Sequence, residues 1–142
     1  MKVRIKKFDK GLPLPEHKTL GAAAFDLSAR EGVVIKPHEV GYIPLNVVIE
    51  TPPGYLLLLA ARSSMHKKGL MPAHGIGIID PDFSGDADEC KAPYLNFTDM
   101  PVTIEKGDRV AQGTFIKIER PEWEEVNELK NKTRGGFGTT GV

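Results

Sequence analysis

The 142-residue chain has little cysteine and no long apolar run, and each absence excludes a class of protein. Its one cysteine, Cys90, cannot form an internal disulfide or a cysteine-based metal centre. We therefore expect a reducing compartment, the cytoplasm. No stretch approaches the roughly 18 consecutive apolar residues of a membrane-spanning helix, and the charged residues 1–7 lack the apolar core of a signal peptide. We expect no membrane partner.

The sequence also lacks a net charge. Its 19 Lys and Arg residues balance 19 Asp and Glu residues, so it has no basic excess of the kind that nucleic-acid-binding proteins show, and we expect no nucleic-acid partner. The charges are nevertheless segregated. Residues 62–75 and 130–142 carry Lys and Arg but no acid, whereas residues 80–89 carry five acids and no base. If these segments meet, they suit a polyphosphate with a divalent cation; otherwise they are solvated loops.

Sustained helical periodicity is missing as well. The 15 glycines and 11 prolines divide the chain into short apolar runs, which is typical of a single all-β domain of the sandwich, barrel or jelly-roll type. One helical turn is predicted at 65–68, capped by Ser63 or Ser64 and ended by Gly69. The predicted strands are residues 3–8, 25–29, 40–49, 55–61, 76–79, 102–104 and 110–118.

Two internal segments combine residue types that bind phosphorylated ligands. Arg62, Ser63 and Ser64 follow an apolar strand and supply a guanidinium, two hydroxyls and the backbone donors of a helical turn, which suit a phosphate. Asp80 ends a glycine-containing strand and is a candidate general base, and Phe83 is a ring that can stack on a sugar or base. The alternatives are an ordinary serine cap and a plain Asp-Pro turn.

Residues 130–142 form a glycine-rich tail that contains too few aliphatic side chains to order itself. Arg134 and Phe137 supply a guanidinium and a ring, the composition of a mobile flap that closes over a nucleotide. The alternative is an ordinary frayed terminus. We divide the chain into a β domain, residues 1–129, and this flexible tail, residues 130–142.

Taken in order, five segments resemble the motifs of the trimeric dUTPases, the deoxyuridine 5'-triphosphate nucleotidohydrolases: residues 24–27, 62–65, 77–85, 107–112 and 134–141. The resemblance implies a jelly-roll-like (β-clip) subunit that assembles as a homotrimer with active sites at subunit interfaces. It implies hydrolysis of dUTP to dUMP and pyrophosphate. Mg²⁺ would be held by the triphosphate and water, with no direct protein ligand.

The resemblance also implies residue roles. Asp80 would orient and deprotonate the attacking water, with support from Asp26, and Phe83 would stack under the deoxyribose. The base would be read by the hairpin backbone, with His74 standing where the family often has Asn. The hairpin residues are Gly77, Ile78 and Ile79; the phosphate-binding residues are Arg62, Ser63, Ser64, Gln112 and Arg134; the tail residues that close over the uracil are Phe137, Gly138 and Thr139.

Two other functions remain open at this stage. dCTP deaminases, including bifunctional ones, share the fold and an Arg-Ser-Ser motif followed by Gly-Leu, here Gly69-Leu70. They use a hairpin glutamate three positions before an Asn; counting back from Asn96 gives Pro93, and Glu89 in the acidic insertion is the only glutamate nearby. The other function is a non-catalytic nucleotide-binding regulatory module. Asp80, the two basic segments and the aromatic tail favour the hydrolase.

Overall fold

The computed structural model describes residues 1–141 and confirms the prediction of an all-β fold. A 3₁₀ helix of one turn spans Met65–Lys68. The strands within these residues are β1 (Ile5–Lys7), β2 (Phe25–Ser28), β3 (Val33–Ile35), β4 (Val40–Pro44), β5 (Val47–Ile49), β6 (Tyr55–Ala61), β7 (Leu70–Pro72), β8 (Gly77–Ile79), β9 (Lys91–Asn96), β10 (Val102–Ile104) and β11 (Arg109–Lys117).

The strands form four antiparallel sheets. A four-stranded sheet has the order β2-β11-β6-β8, a three-stranded sheet has the order β4-β9-β7, and β1-β5 and β10-β3 are two-stranded. The longest ladder joins β6 to β11 and runs from Ala61 opposite Ala111 to Tyr55 opposite Lys117. Buried apolar residues from the two larger sheets share one core cluster, to which Leu57 and Ile43 belong.

Tyr94 ties the two larger sheets together. Its side chain is buried on β9, and its hydroxyl donates a hydrogen bond to the backbone carbonyl of Val110 on β11. Burial raises the pKa of Tyr94 to about 12, because the charged phenolate would lose its hydration. The hydroxyl therefore stays protonated and acts as a donor inside the core.

The predicted strand at residues 40–49 is two strands in the structure. The break falls at Asn46, a buried residue with a φ of 72°, a left-handed conformation that Asn tolerates better than most residues. Its side chain accepts the Asp9 N–H at 2.6 Å and donates to the Asp9 carbonyl at 3.0 Å. These hydrogen bonds hold the turn that separates β4 from β5.

The predicted helical turn is confirmed, but the predicted serine cap is wrong. Gly69 ends the helix with a φ of 84°, and a Cβ there would lie 2.3 Å from Thr98 Cγ2. Both the conformation and the space therefore require glycine. Ser64 occupies the capping position, yet its hydroxyl makes no capping hydrogen bond. Within residues 1–141, the structure has no helix long and apolar enough to cross a membrane.

Candidate active site

The carboxylate of Asp26 organises the first half of the candidate site. Asp26 on β2 lies opposite Gln112 on β11, which in turn lies opposite Ala60 on β6. The Asp26 side chain is only 14% exposed; its Oδ1 accepts Arg62 Nε at 3.1 Å, and its Oδ2 accepts Arg109 Nη1 at 2.9 Å. One buried carboxylate therefore holds two guanidinium groups side by side.

Further hydrogen bonds fix the orientation of these groups. Arg62 Nη1 donates to the Arg109 carbonyl at 3.3 Å, and Gln112 Nε2 donates to the Ala61 carbonyl at 2.9 Å. The register between β2 and β11 shifts between Arg109 and Ala111, and such bulges re-aim side chains next to functional sites. Arg62, Arg109 and Gln112 thus converge at the end of β6.

The serines of the Arg-Ser-Ser segment lie beside this cluster. Ser63 is exposed and Ser64 is half-buried. The Met65 N–H donates to the Arg62 carbonyl at 3.0 Å, so this backbone donor of the helical turn is already used. The hydroxyls and guanidinium groups, rather than the Met65 amide, are the donors that can meet an anion. We call Arg62, Ser63, Ser64 and Gln112 the phosphate half of the site.

The second half is built on β8 and the loop that follows it. Among the described residues, β8 pairs only with β6, so its other edge presents backbone donors and acceptors. Gly77 keeps this strand close to β6, since a Cβ there would lie 3.2 Å from the Leu59 Cβ. Ile78 is 57% exposed, and His74 lies exposed in the turn before the strand.

Asp80 begins a tight turn directly after β8. The Phe83 N–H donates to the Asp80 carbonyl at 3.1 Å, and Ser84 Oγ donates to the Pro81 carbonyl at 2.9 Å. Asp80 is exposed and Phe83 is 40% exposed. We call this loop together with β8 the nucleoside half. Asp80 opens into a cleft of about 540 Å³ lined by Pro53, Gly54, Asp80, Pro81, Asp82, Ile118 and Arg120.

Within one chain the two halves lie far apart. Ile79 is opposite Leu57 of β6, so Asp80 is level with the beginning of β6, whereas Arg62 follows its end. The intervening strand is about six residues long, which corresponds to about 20 Å. The structure brings Asp26, Arg62 and Gln112 together and brings Asp80 and Phe83 together, but it does not join the two groups.

The predicted tail joins neither half within one chain. Phe137 is fully exposed, with a φ of 51°, and Gly138 has a φ of 85°. The hydrogen bonds of this segment are local: Gly135 N–H to Thr133 Oγ1 at 3.1 Å and Thr139 N–H to the Gly136 carbonyl at 3.2 Å. Arg134 is exposed. Val142, the last residue of the predicted tail, lies outside the described residues.

The acidic segment does not form one anionic cluster. Asp80 and Asp82 line the cleft, Asp86 pairs with Lys6, and Asp88 accepts the Gly85 N–H at 2.8 Å. Glu89 is buried and pairs with Arg30. Within residues 1–141, no three acidic, histidine or cysteine side chains converge to hold a metal ion. The ion pairs of residues 80–89 are with Lys6 and Arg30 rather than with the basic segments 62–75 and 130–142.

Sequence reasoning missed two parts of the site. Arg109 was within a recognised segment, but nothing in the sequence shows that it shares a carboxylate with Arg62. The wall of the cleft around Gly54 and Arg120 was also missed. The Pro52-Pro53-Gly54 turn was recognisable, whereas its position beside Asp80 depends on the pairing of β6 with β8.

Comparison with known proteins decides the family. The dUTPase family model matches residues 10–141. A deoxyuridine 5'-triphosphate nucleotidohydrolase from Helicobacter pylori (strain J99) is 36% identical over all of this chain and 98% of that protein. One from Hydrogenobaculum sp. is 38% identical over all of this chain and 99% of that protein. This chain belongs to the dUTPase family.

Solved structures of dUTPases share the fold. A G164S mutant of the Staphylococcus bacteriophage 80alpha dUTPase with dUpNHpp superposes with a TM-score of 0.87, covers 99% of each chain and is 26% identical. The Streptococcus mutans dUTPase gives a TM-score of 0.76 over 84% of this chain and 98% of that one, with 29% identity. The dUTPase resemblance read from the five segments is thereby confirmed.

The ion pairs of Asp26 with both Arg62 and Arg109 lead to a first prediction. Asp26→Asn removes the charge that holds Arg62 and Arg109, and we expect the free energy of unfolding to fall by about 1–3 kcal/mol. The measurement is urea unfolding of this variant, of Arg109→Met and of the double variant. Strict additivity of the two single effects would contradict the shared carboxylate, since coupled residues lose their interaction only once.

Proposed function

We propose that this chain hydrolyses dUTP to dUMP and pyrophosphate, limiting uracil incorporation into DNA and supplying dUMP for thymidylate synthesis. The observation that carries the proposal is the pairing of two kinds of site in one dUTPase-family chain. One half presents guanidinium and hydroxyl donors around Asp26, and the other presents an open backbone edge beside Asp80. The first suits a triphosphate, and the second suits a base and its sugar.

Asp80 is the proposed general base. Hydrolysis of a phosphoanhydride needs an aligned water and neutralised phosphate oxygens more than covalent catalysis. Asp80 opens into the large cleft, while both oxygens of Asp26 already accept guanidinium groups. We therefore assign the proton transfer to Asp80 and a positioning role to Asp26, which acts through Arg62.

The proposed phosphate contacts come from Arg62, Ser63, Ser64 and Gln112, with Arg134 of the tail on the terminal phosphate. Guanidinium groups bind phosphate in a bidentate manner, which fixes the chain of phosphates as well as neutralising it. Magnesium would be held by the triphosphate and water, and when bound it would supply neutralisation of phosphate charge. The carboxylates of the described residues do not form a cage for it.

The proposed base site is the open edge of β8. Backbone N–H and C=O groups of Gly77 to Ile79 offer donors and acceptors that can read the edge of a uracil. His74 lies in the turn beside this edge. Phe83, which is 40% exposed, would stack on the deoxyribose and leave no room for a 2′-hydroxyl.

The separation of about 20 Å between the halves is the reason that the proposal includes more than one copy of the chain, and the resemblance to the trimeric dUTPases is the reason that the proposed assembly is a homotrimer. A nucleotide that contacts both Asp80 and Arg62 must therefore contact the Asp80 of one copy of the chain and the Arg62 of another copy. Closed cyclic symmetry then gives each trimer three equivalent sites. The tail, residues 130–142, would close each site as a flexible segment outside the β domain of residues 1–129. The buried lone thiol of Cys90 suits a cytoplasmic enzyme.

The structure disfavours the deaminase alternative. Glu89 Oε2 accepts Arg30 Nε at 2.7 Å and the Asn46 N–H at 2.9 Å, and Glu89 Oε1 accepts Arg30 Nη2 at 3.0 Å. Its side chain is 6% exposed, so this carboxylate is committed to the fold and faces no substrate. At the position where a deaminase would carry its glutamate, the chain has Pro93, which has no acid function.

The first test of the proposal is turnover. With magnesium and each deoxynucleoside triphosphate in turn, we expect pyrophosphate from dUTP only and no ammonia from dCTP. Asp80→Asn should reduce kcat by about 10²–10⁴, the usual contribution of a general base, while isothermal titration with a non-hydrolysable dUTP analogue still shows binding.

Asp82→Asn is the matched control, because this carboxylate lines the same cleft. We expect it to keep kcat within a few-fold of the wild type. Equal losses in both variants would contradict the assignment of the base to Asp80. Binding of dUTP without turnover in the wild type would instead support the regulatory module.

A second test uses subunit mixing. Asp80→Asn and Arg62→Ala are each expected to be inactive, and mixed trimers refolded from equal amounts should recover about one quarter of the wild-type activity, because each site draws the two residues from different copies. Activity returns only in sites where one copy contributes an intact Asp80 and another copy contributes an intact Arg62. No recovery in confirmed mixed trimers would show that one chain supplies both residues.

A third test concerns the tail. Stacking of an aromatic ring on a base is worth about 1–3 kcal/mol, so Phe137→Ala should lower kcat/KM for dUTP by about 5- to 150-fold. Phe137→Trp is the control and should retain most of the activity. The thermal unfolding temperature should not change in either variant, since Phe137 is fully exposed. Full activity of Phe137→Ala would contradict this role and would support the alternative that the tail is an ordinary frayed terminus.

A further inference from the structure

The acidic segment, residues 80–89, folds as two consecutive turns. The first turn holds Asp80 and Phe83, since the Phe83 N–H donates to the Asp80 carbonyl at 3.1 Å. The second turn begins at Gly85 and is closed by Asp88: the Asp88 N–H donates to the Gly85 carbonyl at 2.9 Å, and Asp88 Oδ2 accepts the Gly85 N–H at 2.8 Å. We call residues 85–88 the acidic turn.

The side chain of Asp88 fits closely against the turn that it closes. A Cβ at Gly85 would lie 3.0 Å from Asp88 Oδ2, so the carboxylate occupies the space that a side chain at this position would need. Asp88 is half-buried, whereas the side chain of Asp86 in the same turn is 97% exposed. Of these two aspartates, Asp88 is therefore the one that shapes the turn.

Lys6 holds the acidic turn against the β domain. Lys6 lies on β1, and its Nζ donates to the backbone carbonyl of Asp86 at 2.8 Å. The same ammonium group lies 5.2 Å from the centre of the Phe8 ring, a distance at which a cation is attracted to an aromatic face. Directly after the turn, Glu89 is buried and paired with Arg30. The acidic turn is thus held by residues that are distant from it in sequence.

The ring of Phe83 depends on the backbone of this segment for its position. Phe83 is 40% exposed, and within residues 1–141 its ring neither belongs to the core cluster nor contacts another aromatic ring. A buried ring is fixed by close packing on all sides, whereas the direction of an exposed ring follows the backbone that carries it. Only one residue separates Phe83 from Gly85, so a movement of the acidic turn also moves the ring.

We propose that Asp88 and Lys6 are positioning residues for Phe83, and that the acidic turn thereby sets the preference of this chain for 2′-deoxyribose over ribose. The inference rests on the proposed function, in which the Phe83 ring leaves no room for a 2′-hydroxyl. A hydroxyl is a small group, so its exclusion requires the ring to be held to within about 0.5 Å. Asp88 and Lys6 act through the backbone and do not contact the nucleotide.

Removal of the Asp88 side chain tests the proposal. The measured quantity is the ratio of the dissociation constants of non-hydrolysable imido analogues of UTP and dUTP, obtained by isothermal titration of the full chain with magnesium. Asp88→Ala opens the acidic turn, and we expect this ratio to fall by about five- to ten-fold, the effect that one net hydrogen bond supports. Asp88→Asn should keep the ratio within about two-fold of the wild type, because an amide oxygen can still accept the Gly85 N–H.

Asp86→Ala is the matched control. It removes the same charge from the same turn, yet the Lys6 ammonium group keeps its hydrogen bond to the backbone carbonyl at this position. We expect the ratio to stay at the wild-type value. Equal losses in Asp86→Ala and Asp88→Ala would overturn the proposal, because they would assign the effect to charge rather than to the closed turn. An unchanged ratio in folded Asp88→Ala would overturn it as well.

Lys6→Met is a second variant, which decides if Asp88→Ala does not fold; thermal unfolding of each variant shows whether the β domain is kept. The Lys6 side chain is 48% exposed, so its contribution is smaller, and we expect the ratio to fall by about three-fold. An unchanged ratio in this variant would overturn the role of Lys6. Because the ratio is measured by binding, a lack of dUTP hydrolysis would contradict the proposed function alone. A wild type that binds both analogues equally, or neither, would overturn the positioning role.

Discussion

The backbone ladder between β6 and β11 is the constraint on which the rest of the structure depends. It extends from Ala61 opposite Ala111 to Tyr55 opposite Lys117 and forms the centre of the four-stranded sheet. One end places Arg62 beside Gln112 and Asp26, and the other end lies level with Asp80. Because paired strands are rigid at this scale, loop motion within one chain cannot close a gap of about 20 Å. The arrangement of the sheet is thus the basis for the proposal that one site draws on more than one copy.

Several charged side chains are used in pairs, which shows how a sequence without net charge can present oriented donors to a polyanion. Asp26 neutralises part of the charge of Arg62 and Arg109 in the free protein and fixes their direction, so an incoming phosphate meets donors that are already oriented. Glu89 serves the fold instead: its hydrogen bonds to Arg30 raise the pKa of that guanidinium.

The sequence predicted the elements whose signals are local. The seven-residue apolar run predicted β6, and the glycine after the helical turn predicted the end of the 3₁₀ helix at Gly69. β3, β7 and β9 were not predicted, because each depends on its pairing partner. β9 contains Pro93, which argues against a strand, but Pro93 lies opposite Tyr42 in a register set by its neighbours. The break at Asn46 was hidden for a related reason, since the side chain that stabilises it binds Asp9, far away in sequence.

The same distinction between local and long-range signals applies to the candidate site. Residue types were enough to make Arg62, Asp80 and Phe83 candidates, because the chemistry of phosphate and nucleoside binding restricts which side chains serve, whereas Gln112 became a candidate only through the resemblance to the dUTPases. Their distribution over two ends of one sheet was not predictable, since it follows from the pairing of β8 with β6. The same pairing leaves the far edge of β8 without a partner strand among the described residues. One short segment, from Arg62 to Asp80, therefore carries a proposed phosphate contact, the proposed base edge and the proposed general base in succession. Because this segment pairs with β6 and β9 along its length, the two proposed halves are held at fixed positions in the fold.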